Sequence, residues 1–450
     1  MTSRVLLPLV AASVSWGASS DLRLVEAVKH RDPKAITALV GKVDVNATQP
    51  DGATALAWAV HLGETKTADL LLRSGANVNV ADENGETPLT LACANGDAPM
   101  VEKLLNAGAD PKAARWNGET ALLIAAGAGS VEAVSRLIDK GVDPNAPEAR
   151  KGQTPLMWAA SEGHAEVVKK LIERGANVKA ASLSGFTPLM FASIKNDLPS
   201  VQALLAAGAD PNSALPDGTK VLGIAASWRS TASAGALLEA GADPNSSDRT
   251  GNSLLHNAAQ LGDVELMKRL IAKGANPNVL TPRTAAGGGR GGGGGGFIRP
   301  LAGAQTPLMF AARAGQLEVM KTLLAAGADP KIKAQDGSTY LMAAVGSAKV
   351  EAVRLAWEGD PDINVVTDNG TTLIHASVSG TANGATQDAQ ERVCEVIRFL
   401  AEHGAALDEK NAAGRTAIDL ADILPIDKAV DLLTELIIKS GNKPKSPSKR

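Results

Sequence analysis

Apolar and polar positions in this chain recur with a long period made of two short helical patterns. Adjacent pairs such as Leu71–Leu72 and Leu171–Ile172 give the buried stripe of one amphipathic helix. Upstream, Ala59, Ala92, Ala125, Ala159, Ala192, Ala225, Ala258, Ala311 and Ala344 fall at one position of another helix, where a small side chain lets neighbouring helices approach closely. Polar residues mark the ends. Thr54, Thr87, Thr120, Thr154, Thr187 and Thr306 stand where an N-cap hydroxyl can take an orphan backbone N–H. Pro88, Pro155, Pro188 and Pro307 follow at the first helical position, where a missing N–H costs nothing. Gly63, Gly96, Gly129, Gly163, Gly262 and Gly315 end the first helix. Gly75, Gly108, Gly141, Gly175, Gly208, Gly241, Gly274 and Gly327 sit at the left-handed exit of the second.

The period is explicit when GETPLTLACANGDAPMVEKLLNAGADPK from Gly85 is set beside GQTPLMWAASEGHAEVVKKLIERGANVK from Gly152. Unit-leading glycines fall at 52, 85, 118, 152, 185, 218 and 251, in steps of 33, 33, 34, 33, 33 and 33, and again at 337, 370 and 414. Between 251 and 337 a unit restarts at Ala304 with AQTPLMFAA, so the unit from Gly251 carries 20 extra residues; the one from Gly370 carries 11. Self-similarity at such a period is the signature of a repeat array.

The pattern resembles the ankyrin repeat, whose unit of about 33 residues carries T-P-L-H-x-A and a later L-L-x-x-G-A-D-x-N. The resemblance covers about residues 21–440, with eleven units in one register. It implies an all-α, curved and extended ankyrin-repeat solenoid of helix-turn-helix units with β-turn or hairpin connections. One departure stands out. The motif histidine is kept at His256 and His375, while methionine takes its place at Met157, Met190, Met309 and Met342. This variant resembles exported bacterial ankyrin-repeat proteins. Asp21–Gln49 reads as an N-terminal cap (21–51 with its turn) and Ala417–Lys439 as a C-terminal cap (414–440), since end repeats have a face without a neighbour. Two units look weak. Lys220 replaces the capping threonine, and Asp360 stands where the exit glycine belongs.

Composition narrows the function. The net charge of −3 on 450 residues gives no global field for nucleic acid or an anionic membrane. The last ten residues, GNKPKSPSKR, read as a disordered basic tail. Two distant cysteines, Cys93 and Cys394, give neither a disulfide framework nor a metal spacing. Residues 1–19 are laid out as a signal peptide. Arg4 precedes the apolar run Val5–Val14, then come small residues, with cleavage expected between Gly17 and Ser20. This implies an exported chain, periplasmic or secreted, with a cytoplasmic protein as the alternative and no membrane-spanning segment in the mature chain.

No histidine falls in H-E-x-x-H spacing, and no G-x-S-x-G elbow occurs. The carboxylates of the recurring GAD turns are scattered. The run AAGGGRGGGGGGFIRP contains G-x-G-x-x-G trivially, follows no strand and ends in no G-K-[ST]. No catalytic, cofactor or metal site is therefore expected, and the chain reads as a non-enzymatic scaffold that binds a protein partner. The alternatives are an obligate non-catalytic subunit or regulator in an exported assembly, and a secreted effector binding host proteins.

The aromatics supply the candidate surface. Aromatic residues are only 3% of the chain, yet Trp58, Trp158, Phe191 and Phe310 share one first-helix position, expected to face the groove. Trp116 and Phe186 flank turn glycines, and Trp228 ends a first helix. Two readings stay open: a binding stripe, or side chains packed between repeats. The glycine-rich insertion at 281–303 is either a tolerated surface loop or a flap whose Phe297 and Ile298 touch the partner. Partner identity, oligomeric state and the role of the insertion at 379–390 are not legible.

Overall fold

The computed structural model describes residues 21–248, 250–283, 303–380 and 386–445. The chain divides into two compact units, Met1–Phe191 and Ala192–Arg450. The leader (1–19), the core of the glycine-rich insertion with Phe297 and Ile298, residues 381–385 of the second insertion and residues 446–450 of the tail lie outside the described residues.

Most first helices start at a threonine that caps them. Thr54 Oγ1 accepts from Ala57 N at 3.1 Å, and Thr87, Thr120, Thr154 and Thr306 cap in the same way. In the first unit this gives helix pairs such as Ala55–His61 with Thr65–Arg73, Pro88–Ala94 with Ala98–Asn106, and Pro155–Glu162 with Ala165–Glu173. The second unit continues with pairs such as Val221–Ser227 and Thr231–Glu239, Leu254–Leu261 and Val264–Ala272, and Pro307–Ala314 and Leu317–Ala325. The described residues form 24 helices and only isolated β-bridges, such as Thr48 to Thr54 and Ala114 to Thr120, each closing a hairpin before a first helix. The two caps fold as full helix pairs, Arg23–Lys29 with Pro33–Leu39 and Ala417–Ile423 with Asp427–Lys439, so the pairs number twelve rather than eleven. The alanine column is buried throughout, as close packing of first helices requires.

Three devices recur between neighbouring repeats. The first is an asparagine rung. Asn79 Nδ2 donates to the Gly108 carbonyl at 3.1 Å, and Asn79 Oδ1 accepts from Asp110 N at 2.8 Å. Asn46, Asn145, Asn212, Asn245 and Asn278 repeat it. The rung needs the following exit turn left-handed, and the exit glycines hold φ between 82° and 91°. A Cβ at Gly108 would meet no atom within 4 Å, so the glycine is there for conformation and not for space. The second device pairs hairpin tips. Glu83 N donates to the Asp51 carbonyl (2.7 Å), Trp116 N to Asn84 (3.1 Å) and Leu183 N to Lys151 (2.8 Å). The third is the motif histidine. His256 Nδ1 accepts from Ser253 N at 3.1 Å, and its Nε2 donates to the Gln305 carbonyl at 2.9 Å; His375 does the same with Thr372 and Arg415.

The weak units fold, each with a local change. The helix Val221–Ser227 forms with no side-chain cap, and Lys220 Nζ instead pairs with Asp243 at 2.9 Å. The helix Val350–Gly359 leaves through an extended Asp360, φ −154°, rather than a left-handed turn. First-helix exits stay left-handed without glycine at Asn196, Arg229 and Ala348 (φ 56°, 54° and 53°). The second insertion partly builds a longer helix, Gln387–Glu402 of 16 residues, capped by Thr386. At the start of the tail, Lys445 N donates to Asp408 Oδ2 at 2.7 Å.

Candidate functional site

Each hairpin tip runs through its capping residue straight into a first helix, so tips and first helices share a side. Trp116 and Leu183 hold the same tip position, two residues before Gly118 and Gly185, and are 73% and 76% exposed. Their own N–H groups bond the preceding tip, so two large apolar side chains project from a fixed backbone. In the second unit Trp228 follows the helix Val221–Ser227 and is 64% exposed.

The remaining aromatics are less available. Trp58 is half-buried. Its indole N–H donates to Gln49 Oε1 at 2.7 Å, Lys29 Nζ lies 5.0 Å from a ring centroid, and His61 packs edge-on at 5.7 Å. Trp158 is half-buried over Gly127 of the preceding repeat, where an added Cβ would lie 3.0 Å from the indole. Phe186 and Phe191 pack on each other at 5.5 Å. Phe310 is a correction to the expected stripe. It is 6% exposed and sits 4.9 Å from the His256 ring, so it fills the joint between two repeats. Ile124 and Ile224, at the equivalent position, are buried too. This helix position therefore does not face solvent uniformly, because the neighbouring helix covers part of it.

Two features escaped the sequence reading. Leu183 was missed because only aromatics were followed, although its place before Gly185 matches that of Trp116 before Gly118. A cleft beside Trp58, lined among others by His61, Asp51, Asp82 and Glu86, was missed because it forms between two units.

The titratable groups have structural explanations. Burial pushes the Cys93 thiol up to about 12 and raises Cys394. Burial also lowers His256 and His375, whose Nδ1 atoms act as acceptors. Carboxylates of the GAD turns close Asx turns, as Asp110 Oδ1 does with Lys112 N at 2.9 Å. Among the described residues no cluster of three or more His, Cys, Asp or Glu could hold a metal, and no helix is long and apolar enough to cross a membrane.

Helix pairs joined by bridged hairpin tips, with a left-handed glycine exit and an asparagine rung between units, define an all-α repeat array of the kind that presents a surface rather than a closed active site. The family model for ankyrin repeats matches residues 24–115, 113–182, 189–281 and 308–387, well over half of the chain, and the chain belongs to that family. A stretch of 137 residues is 27% identical to the E3 ubiquitin-protein ligase KEG of Arabidopsis thaliana. It covers 30% of this chain and 8% of that protein, so the two share a small part of the ligase's length.

Proposed function

We propose that this chain is a non-enzymatic scaffold that grips a protein partner with its hairpin tips and first helices. The observation that carries the reading is the pair of exposed tip anchors, Trp116 and Leu183, on hydrogen-bonded backbone. Large apolar side chains held out from a rigid frame are the usual energetic anchors of an interface. Because the frame is formed beforehand, little ordering entropy is lost on binding. Trp228 extends the same chemistry to the second unit. The signal-like pattern of residues 1–19 supports a partner in an exported compartment.

The test is the triple variant Trp116→Ala, Leu183→Ser, Trp228→Ala, set beside Phe310→Ala. The triple variant changes exposed sites, so its stability should stay within about 0.5 kcal/mol per site. Its affinity for the partner recovered by proximity labelling in the native compartment should fall at least about tenfold. Phe310→Ala empties a packed joint and should cost about 3–5 kcal/mol of stability. A triple variant that binds the same partner with undiminished affinity would overturn the proposal.

A further inference from the structure

The first unit holds a cleft of about 190 Å³ between the units that begin at Gly52 and Gly85. Trp58, Leu91, Val80 and Ala57 give it apolar walls, and His61 stands beside the indole. Asp51, Asp82 and Glu86 line it as well, and no lysine or arginine does. Small-molecule and cofactor sites run from about 300 to 1,000 Å³, so this cleft is the size for a single side chain.

Two cations lie close by without lining the cleft, and one of them, Lys29, already holds its Nζ 5.0 Å from a Trp58 ring centroid. Lys29 bonds Glu26 at 3.3 Å, and Arg115 is shared between Glu86 and Glu119. Arg115 thus offsets Glu86, and no lysine or arginine among the residues lining the cleft offsets Asp51 or Asp82. Each of these aspartates uses Oδ1 for its own turn, Asp51 with Ala53 N at 3.0 Å and Asp82 with Asn84 N and Glu86 N at 2.8 Å. The other oxygen of each is left for a ligand. The bond from Glu83 N to the Asp51 carbonyl fixes the spacing of the two tips.

We infer that this cleft takes one cationic side chain of the partner, an arginine or a lysine, with Trp58 as the aromatic wall and Asp51 and Asp82 as counter-charges. The inference rests on the reading of this side as the partner face. A desolvated cation over an indole gains from the ring quadrupole, and a carboxylate beside it adds a charge-assisted hydrogen bond. Arginine suits the site better than lysine, because its planar guanidinium stacks on the ring and forks to carboxylates at once. A neutral side chain of the same shape would leave both aspartates without a partner charge.

The experiment uses the full chain labelled with 5-fluorotryptophan, the Trp58 resonance being assigned from Trp58→Phe. N-acetyl-arginine amide is titrated in, with N-acetyl-lysine amide and the neutral isostere N-acetyl-citrulline amide alongside. The expected result is a saturable shift at Trp58 with the arginine amide, a weaker one with the lysine amide and none with the citrulline amide. Asp51→Asn and Asp82→Asn keep the Oδ1 turn acceptor, and each should weaken the arginine response about tenfold. The absence of a saturable shift with either cation, an equal response to citrulline, or undiminished affinity in both Asn variants would overturn the inference. The triple tip variant leaves the cleft intact. Loss of the partner in that variant, together with no arginine response here, would sink the cleft and leave the partner face standing.

Discussion

A buried imidazole that bonds at both nitrogens does what methionine at the same position cannot. His256 takes Ser253 N on Nδ1 and gives its Nε2 proton to the Gln305 carbonyl, so the neutral ring joins two units. Protonating Nδ1 would break the first bond, and burial lowers the folded-state value of both His256 and His375 below the ordinary 6.5. The sign follows from which state binds protons first. As pH falls below about 6.5 the unfolded chain takes them up, so stability is full above that value and declines towards acid. The double variant His256→Met, His375→Met should therefore melt lower at about pH 7.5, by about 1–3 kcal/mol per site for the lost bonds. It should also lose less stability than wild type between about pH 7 and about pH 5.5. Calorimetry across that range decides, and parallel slopes would mean the rings are not held neutral. At this scale the capping threonines were legible in the sequence, because a cap is settled within four residues. Phe310 and Trp158 were not, because one is covered by a ring from the preceding repeat and the other rests on Gly127 there.

The repeating elements are joined most regularly by the asparagine rungs, and the exceptions are informative. Lys112, Lys179 and Lys331 stand where other units carry asparagine, and lysine has no acceptor with which to complete a rung. The turn that follows Lys112 is ordinary, with Gly141 at φ 82°. The turn that follows Lys331 is not, because Asp360 is extended at φ −154°. Lys112→Asn should therefore add two cross-unit hydrogen bonds and raise stability by about 1 kcal/mol. Lys331→Asn should change it little, since the turn that receives the bond is missing. A urea midpoint for each variant separates the two, and an equal gain at both sites would refute the dependence on the exit turn. The asparagines were visible in the sequence, but their partners are backbone atoms about 30 residues away, which periodicity places in the next unit without naming them. The same distance explains why Lys220 and Asp360 were recognised as irregular while the outcome at each was not. The first gained an ion pair with Asp243, and the second changed the course of the backbone.

For the molecule as a whole, the repeat register was legible because the same 33-residue pattern recurs along the sequence, and the glycine-rich insertion is the sharpest test of it. Stacking proceeds across the insertion as though it were absent. Asn278 makes its rung with Gly327 and Asp329 at 3.0 and 2.8 Å, and Thr281 N reaches the Gln305 carbonyl at 2.9 Å. Ala304 N returns to the Thr281 carbonyl at 3.1 Å, so both ends of the insertion are clamped to each other. A segment whose ends are already joined adds only closure entropy, about 0.6 kcal/mol for each doubling of its length. Replacing 285–300 with a plain turn should leave the melting temperature of the chain unchanged or raise it, by about 1 kcal/mol at most. Affinity for the partner should also hold, because the proposed anchors Trp116, Leu183 and Trp228 lie on tips and helix ends in other repeats. An affinity drop of about tenfold in the shortened chain, with its melting temperature intact, would instead make Phe297 and Ile298 part of the binding face.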